Sequence, residues 1–136
     1  MNRIIQDIWI IDPAGIALYN NILSTNVNQH LFSSFLTAIN AFAKKVANSE
    51  LSSFIVGSTL FTLLKSNNFL FVASSSPQIK EKVIYNELKK ISRRFFEKYS
   101  NLLRNWNYNV RVFDDFGEDI KELLNKNQVM EFLKCI

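Results

Sequence analysis

The sequence predicts an α+β fold built on a five-stranded sheet, and three observations predict it. Two apolar, strand-like segments open the chain, one isolated helical pattern follows, and three more short apolar segments precede charged helical sequence. Those strand segments are apolar on both faces, so helices are needed above and below the sheet. With 136 residues, 48% hydrophobic and including twelve Phe, the chain has the length and the apolar material for one domain with an ordinary core.

Ile4 to Ile11 is nearly continuous in apolar residues, as expected of a strand covered on both sides. Asp12-Pro13-Ala14-Gly15 has turn chemistry throughout: Asp bonds backbone ahead of it, Pro presets φ, and Gly tolerates positive φ. Ile16 to Ile22 returns as the second strand of a hairpin. Asn26 or Asn28 then caps a helix over residues 29–47, which Asn48-Ser49 ends. Leu31, Phe35, Ile39, Phe42 and Val46 recur at helical spacing and are read as its core stripe. Phe32, Leu36 and Ala43 make a second apolar strip, displaced by about 60° to 100° round the helix.

Leu51 to Val56, Thr59 to Leu64 and Phe69 to Ala73 are three short strands, with Gly57 between the first two and Lys65-Ser66-Asn67-Asn68 as a hairpin turn. Ser76-Pro77 offers a hydroxyl cap followed by proline, which starts a helix running to residue 104. Ile84, Leu88, Ile91, Phe95, Tyr99, Leu102 and Trp106 form its seam toward the sheet. Lys82, Lys89, Arg93 and Arg104 lie opposite, and Tyr85, Phe96 and Leu103 form a flanking strip suited to a further helix. Val110 to Phe113 reads as extended, and Asp115-Phe116-Gly117-Glu118 as a capping box that opens a short helix. Residues 1–125 then form the domain, and 126–136 a short amphipathic extension carrying Val129, Phe132, Leu133 and Ile136.

The net charge of +4 is unevenly spread. Residues 80–104 hold eight Lys/Arg against three Asp/Glu, and residues 105–136 hold four against six. The long second helix is therefore basic and the sequence after it acidic. No apolar run fills the ~20 residues of a membrane helix, and no secretory leader follows Met1, so the chain reads as soluble and cytoplasmic.

Three glycines, Gly15, Gly57 and Gly117, are too few and too scattered for a phosphate-cradling loop or a dinucleotide fingerprint. One cysteine, Cys135, excludes a disulfide framework and a cysteine-rich metal site. His30 is the single histidine, set at a helix start among Asn and Gln, and it is assigned no role. Asp114, Asp115, Glu118, Asp119 and Glu122 lack the alternating ligand spacing of a calcium loop and suit the first turn of a helix. No catalytic, cofactor or metal residue is nominated.

Two surfaces remain. The basic face of Lys82, Lys89, Arg93 and Arg104 is either a solvated helix face or a site for acidic lipid headgroups or an acidic partner, with nucleic acid the least favoured version. The strip of Phe32, Leu36 and Ala43 is either covered within the monomer or a protein interface, and a second copy and a different partner are equally open.

The order strand, strand, helix, three strands, helix, helix resembles the longin domain. The stretches that carry the resemblance are Ile8-Trp9-Ile10-Ile11-Asp12 with its Pro-Ala-Gly turn, Phe54-Ile55-Val56-Gly57, Phe69-Leu70-Phe71-Val72-Ala73 and Phe113-Asp114-Asp115-Phe116. It covers about residues 4–125 and rests on pattern more than on fixed motifs. It implies an antiparallel sheet with the first helix on one face and the C-terminal helices on the other. Longin and roadblock domains are platforms without enzymatic activity, found in vesicle SNAREs, coat adaptors, tethering and exchange-factor complexes and archaeal small-GTPase systems. The SNARE heptads that would follow a longin SNARE domain are missing, so the chain is more similar to adaptor-like or GTPase-associated members, and stand-alone archaeal forms fit its size. The implied function is a protein-interaction module in a small-GTPase-regulating or trafficking assembly, whose partner is a small GTPase, another longin or roadblock protein or a second copy, with peripheral contact to membranes. The rival reading is a PAS-like ligand sensor, which usually has several short helices where this sequence has one long one and keeps a cavity against the sheet.

Overall fold

The computed structural model describes residues 4–21, 29–47 and 52–124. Strands β1 (Asp7–Ile11), β2 (Ala17–Asn21), β3 (Ser53–Val56), β4 (Thr59–Ser66) and β5 (Phe69–Ser75) form one sheet in the order β2-β1-β5-β4-β3, antiparallel at each pairing. Helix α1 (Gln29–Ala47) connects β2 to β3, and α2 (Glu81–Arg104) follows β5. A 3-10 turn over Val110–Phe113 leads into a third helix, α3, over residues 116–124.

Strand alternation sorts the core into two layers. Ile8 lies opposite Ala73 and Ile10 opposite Phe71, and these four share one buried cluster with Ile84, Leu88, Ile91 and Phe95 of α2 and Phe116, Ile120 and Leu124 of α3. Trp9 lies opposite Val72 and Ile11 opposite Leu70, and these join Leu63 and Leu36 of α1 in the second cluster. The helices therefore cover both faces, as the doubly apolar strands require. In the larger cluster the ring of Phe95 lies 5.1 to 5.8 Å from those of Phe71, Tyr99, Phe113 and Phe116, in edge-to-face and tilted contacts of the favourable kind.

Turn chemistry behaves as the residues dictate. Asp12 Oδ1 accepts from the backbone N–H of Ala14 at 3.0 Å and of Ile16 at 2.8 Å, and Gly15 takes φ +89°. Asn67 and Asn68 both adopt positive φ, the backbone of a two-residue hairpin loop between β4 and β5.

Two elements differ from expectation. Ser76-Pro77 does not start α2. The Ser76 hydroxyl bonds the side chain of Gln78, the Ile79 N–H closes a turn on the Ser76 carbonyl at 3.1 Å, and Ile79 packs against the core. The helix begins four residues after Pro77, behind an extended Lys80 that provides no side-chain cap. Val110–Phe113 is 3-10 and not extended: the Asn109 side chain accepts from Arg111 N–H at 3.1 Å, and the turn drives Phe113, fully buried, into the aromatic cluster while Val110 stays outside.

Helix α1 packs with a different phase from the one its periodicity suggests. Leu36 is 0% exposed and Phe32 lies with its ring centroid 4.5 Å from that of Trp9 and 5.5 Å from that of Phe61. Phe35, read as core stripe, is 50% exposed, and Ile39 is only half-buried. Apolar residues occupy about half of this helix's circumference, so spacing alone leaves the inward direction undetermined. Trp9 and Phe61 decide it by receiving Phe32, while buried Ser33 and Asn40 supply small or short side chains on the same inner face. The side chains of Leu31, Phe42, Ala43 and Val46, together with His30, Cys135 and the extension 126–136, lie outside the described residues.

Candidate functional site

The strip of Phe32 and Leu36 is thus core of the α1 layer, and among the described side chains of that helix the large apolar one that is exposed is Phe35. A second exposed apolar surface lies on β3, at an edge of the sheet. There Ile55 is 60% and Val56 56% exposed, one on each face of the strand, while Phe54 stacks on Phe61 with centroids 5.2 Å apart. Among the described residues β3 pairs with β4 on one side only, and its outer N–H and C=O groups have no described strand beside them. The opposite edge, β2, is flanked by the 3-10 turn. Sequence reading placed β3 correctly and did not mark it, because edge position is a property of the assembled sheet.

Helix α2 divides its positive charge between two flanks. On one, Arg94 reaches Asp119 at 3.2 Å and Glu122 at 3.6 Å, and Lys98 reaches Asp119 at 2.6 Å and Asp115 at 3.4 Å. The Tyr99 hydroxyl donates to Asp115, while Phe116, Ile120 and Leu124 pack beneath. The Tyr99 hydroxyl and the Lys98 ammonium hold the Asp115 carboxyl below its ordinary value against a smaller opposing effect of burial. For Asp119 burial is the largest influence and raises the value, but the bonds from Lys98 and Arg94 together outweigh it and leave the carboxyl lowered. Burial, then the bond to Asp115, raises Tyr99 well above the usual phenol range. The acids read only as helix-start residues are therefore also a clamp that fastens α3 to α2. Spacing carried a signal for it: acids at 115, 119 and 122 match cations at 94 and 98 on facing helices.

On the outer flank Lys82, Lys89, Arg93 and Arg104 are all exposed, and none of the four meets a carboxylate among the described residues. Lys89 lies over the Tyr85 ring at 4.9 Å. Lys89 and Arg93, with Ser66, Asn67, Leu64 and Phe96, line a groove of ≈ 540 Å³ between α2 and the β4–β5 hairpin. The strip expected to receive a third helix is used here instead: Phe96 meets Phe69 edge-on at 5.3 Å, and α3 docks on the other flank. No group of three or more His, Cys, Asp or Glu among the described residues is arranged to hold a metal ion, and none of the described helices is long and apolar enough to cross a membrane.

A scan of family models finds no match to this sequence, and a search of curated proteins finds none. Solved structures do match. A chain from the structure of the mammalian SRP receptor superposes with a TM-score of 0.62 at 14% identity, over 96% of this chain and 99% of that one. Myxococcus xanthus MglB gives 0.52 at 10% identity, over 69% of this chain and 85% of that one. A Roadblock/LC7 domain from Streptomyces avermitilis gives 0.48 at 12% identity, over 68% and 86%. Sheet order, the placement of helices on both faces and the first two of these likenesses agree, and the chain has a longin-like fold.

Proposed function

We propose that the protein is a non-enzymatic interaction module of a small-GTPase-regulating or membrane-trafficking assembly, and that it takes its protein partner at the free edge of β3. The observation that carries this reading is the pair Ile55 and Val56: two large apolar side chains, more than half exposed, on a strand with an open hydrogen-bonding edge. Monomeric proteins blunt such edges with charge, proline or a covering element, and an extended segment or a second sheet adds to an edge left open. The longin-like fold supports the class of assembly by analogy alone. Between α1 and the sheet, Trp9, Leu36, Leu63, Leu70 and Val72 form a packed cluster, and a cavity of ≈ 460 Å³ opens beside it, lined by Asp12, Thr37, Asn40, Lys65 and Leu70. What favours a platform over a PAS-like sensor is the single long helix α1 in place of several short ones.

The test compares the natural chain with an Ile55→Asp, Val56→Asp variant in sedimentation and in pull-down from the native cell, with GDP or a non-hydrolysable GTP analogue added. The expected result is a retained melting temperature with loss of self-association or of a captured partner. Undiminished association in the variant would remove the β3 edge from consideration.

A further inference from the structure

We infer that the outer ridge of α2 is a contact for an anionic membrane surface, a site separate from the β3 edge and independent of the partner taken there. Taking Ile84, Leu88, Ile91 and Phe95 as the buried direction of the helix, Lys82, Lys89, Arg93 and Arg104 fall within an arc of about 60° on the side opposite, at about 100° per residue. They mark out a line of about 33 Å along one unbroken helix, at about 1.5 Å rise per residue. Glu97 is the acid that sits close to this line, and it lines the groove beside Lys89 and Arg93.

The partition of charge on α2 singles the ridge out. Arg94 and Lys98 are matched by Asp115, Asp119 and Glu122, and Lys90 lies 3.6 Å from Glu87. The four ridge cations have no such match among the described residues, although the chain carries a full set of acids one flank away. A straight line of exposed cations on the outward side of one helix, two of which, Lys89 and Arg93, also border the groove toward the β4–β5 hairpin, can meet a plane along its length, whereas a folded acidic partner would need a matching row of acids. That shape selects a bilayer surface over a globular protein. The groove of ≈ 540 Å³ adds a recess where Lys89, Arg93, Ser66, Asn67 and Ser92 receive one phosphate-bearing headgroup, two cations against the single carboxylate of Glu97, with Leu64 and Phe96 beside it. Attraction of this kind amounts to roughly fivefold in partition per basic residue near an anionic leaflet, and it fades with salt.

Co-sedimentation of the full chain with vesicles tests the inference. One set is phosphatidylcholine alone, and the other replaces about a third of it with phosphatidylserine, at low and at physiological ionic strength. Binding to the anionic vesicles that weakens with salt is expected, with little to the neutral ones. Lys89→Ala, Arg93→Ala should lower the partition about 30-fold, whereas Arg111→Ala, Lys121→Ala, two exposed cations off the ridge with the same change in net charge, should lower it far less. Equal losses in the two variants would reduce the effect to net charge and overturn the site. So would equal binding to neutral vesicles, or no binding to anionic ones. Neither result bears on the β3 edge, whose variant leaves the ridge intact.

Discussion

Leu36 and Phe35 are adjacent in sequence and opposite in environment, one sealed beneath α1 and the other half in solvent. Leu36→Ala should destabilise the domain by about 2 to 5 kcal/mol, measured by urea unfolding, because it removes buried methyl groups and leaves a cavity beside Trp9 and Leu63. Phe35→Ser should change unfolding by no more than about 0.5 kcal/mol, as exposed positions do. A larger cost at Phe35 than at Leu36 would restore the core stripe read from spacing. At Asp119 the argument runs through pH. Its carboxyl titrates below the ordinary 3.8 in the folded chain, so its charge stabilises the fold above that value and the contribution is lost as pH falls through the lowered one. Asp119→Asn should therefore melt below the natural chain at neutral pH, and the two should converge in acid well under pH 3.8. A gap of constant size across that range would show that the clamp to Arg94 and Lys98 does not depend on charge.

At the scale of elements, strands and long helices were legible because each has an apolar period set by its own geometry. The number of strands, the β1–β2 and β4–β5 turns and the span of α1 all follow from local residues such as Asp12, Gly15, Asn67 and Asn68. Helix starts were less so. Ser76-Pro77 has the composition of a cap, but burying Ile79 requires a turn at that point, and the true first residue follows an uncapped Lys80. Lys80→Ser places a hydroxyl at an N-cap whose backbone is already extended, and should stabilise the domain by about 0.5 to 1 kcal/mol in thermal melting. No gain would mean that the amide groups at this helix start are already satisfied by solvent. The 3-10 turn at Val110–Phe113 follows the same logic: Phe113 is sealed in the core, Val112 packs partly buried against it, and Val110 stays outside.

For the whole molecule the consequence is a two-sided scaffold. One face of the sheet is closed by α1, the other by α2 and α3 fastened together through charge, and the surfaces proposed for contact are the apolar edge at β3 and the basic ridge on α2. The chain has three scattered glycines and no glycine-rich loop with which to cradle phosphates. Titration calorimetry with GTP and with ATP should accordingly give no saturable heat at micromolar concentrations of the purified chain. Saturable binding there would place a nucleotide site on a surface that no motif marks.

By itself the sequence determined the α+β class, the order of the elements and the need for helices on both sheet faces, because strand and helix periods and turn residues act over a few neighbouring positions. The charge excess of α2 was equally visible there. Tertiary structure alone decided which half of α1 points inward, which strand forms the open edge, and which cations of α2 remain unmatched. Each of those depends on what packs opposite: Trp9 and Phe61 beneath Phe32, no described strand beyond β3, and Asp115 and Asp119 beside Lys98 while Lys89 and Arg93 are exposed.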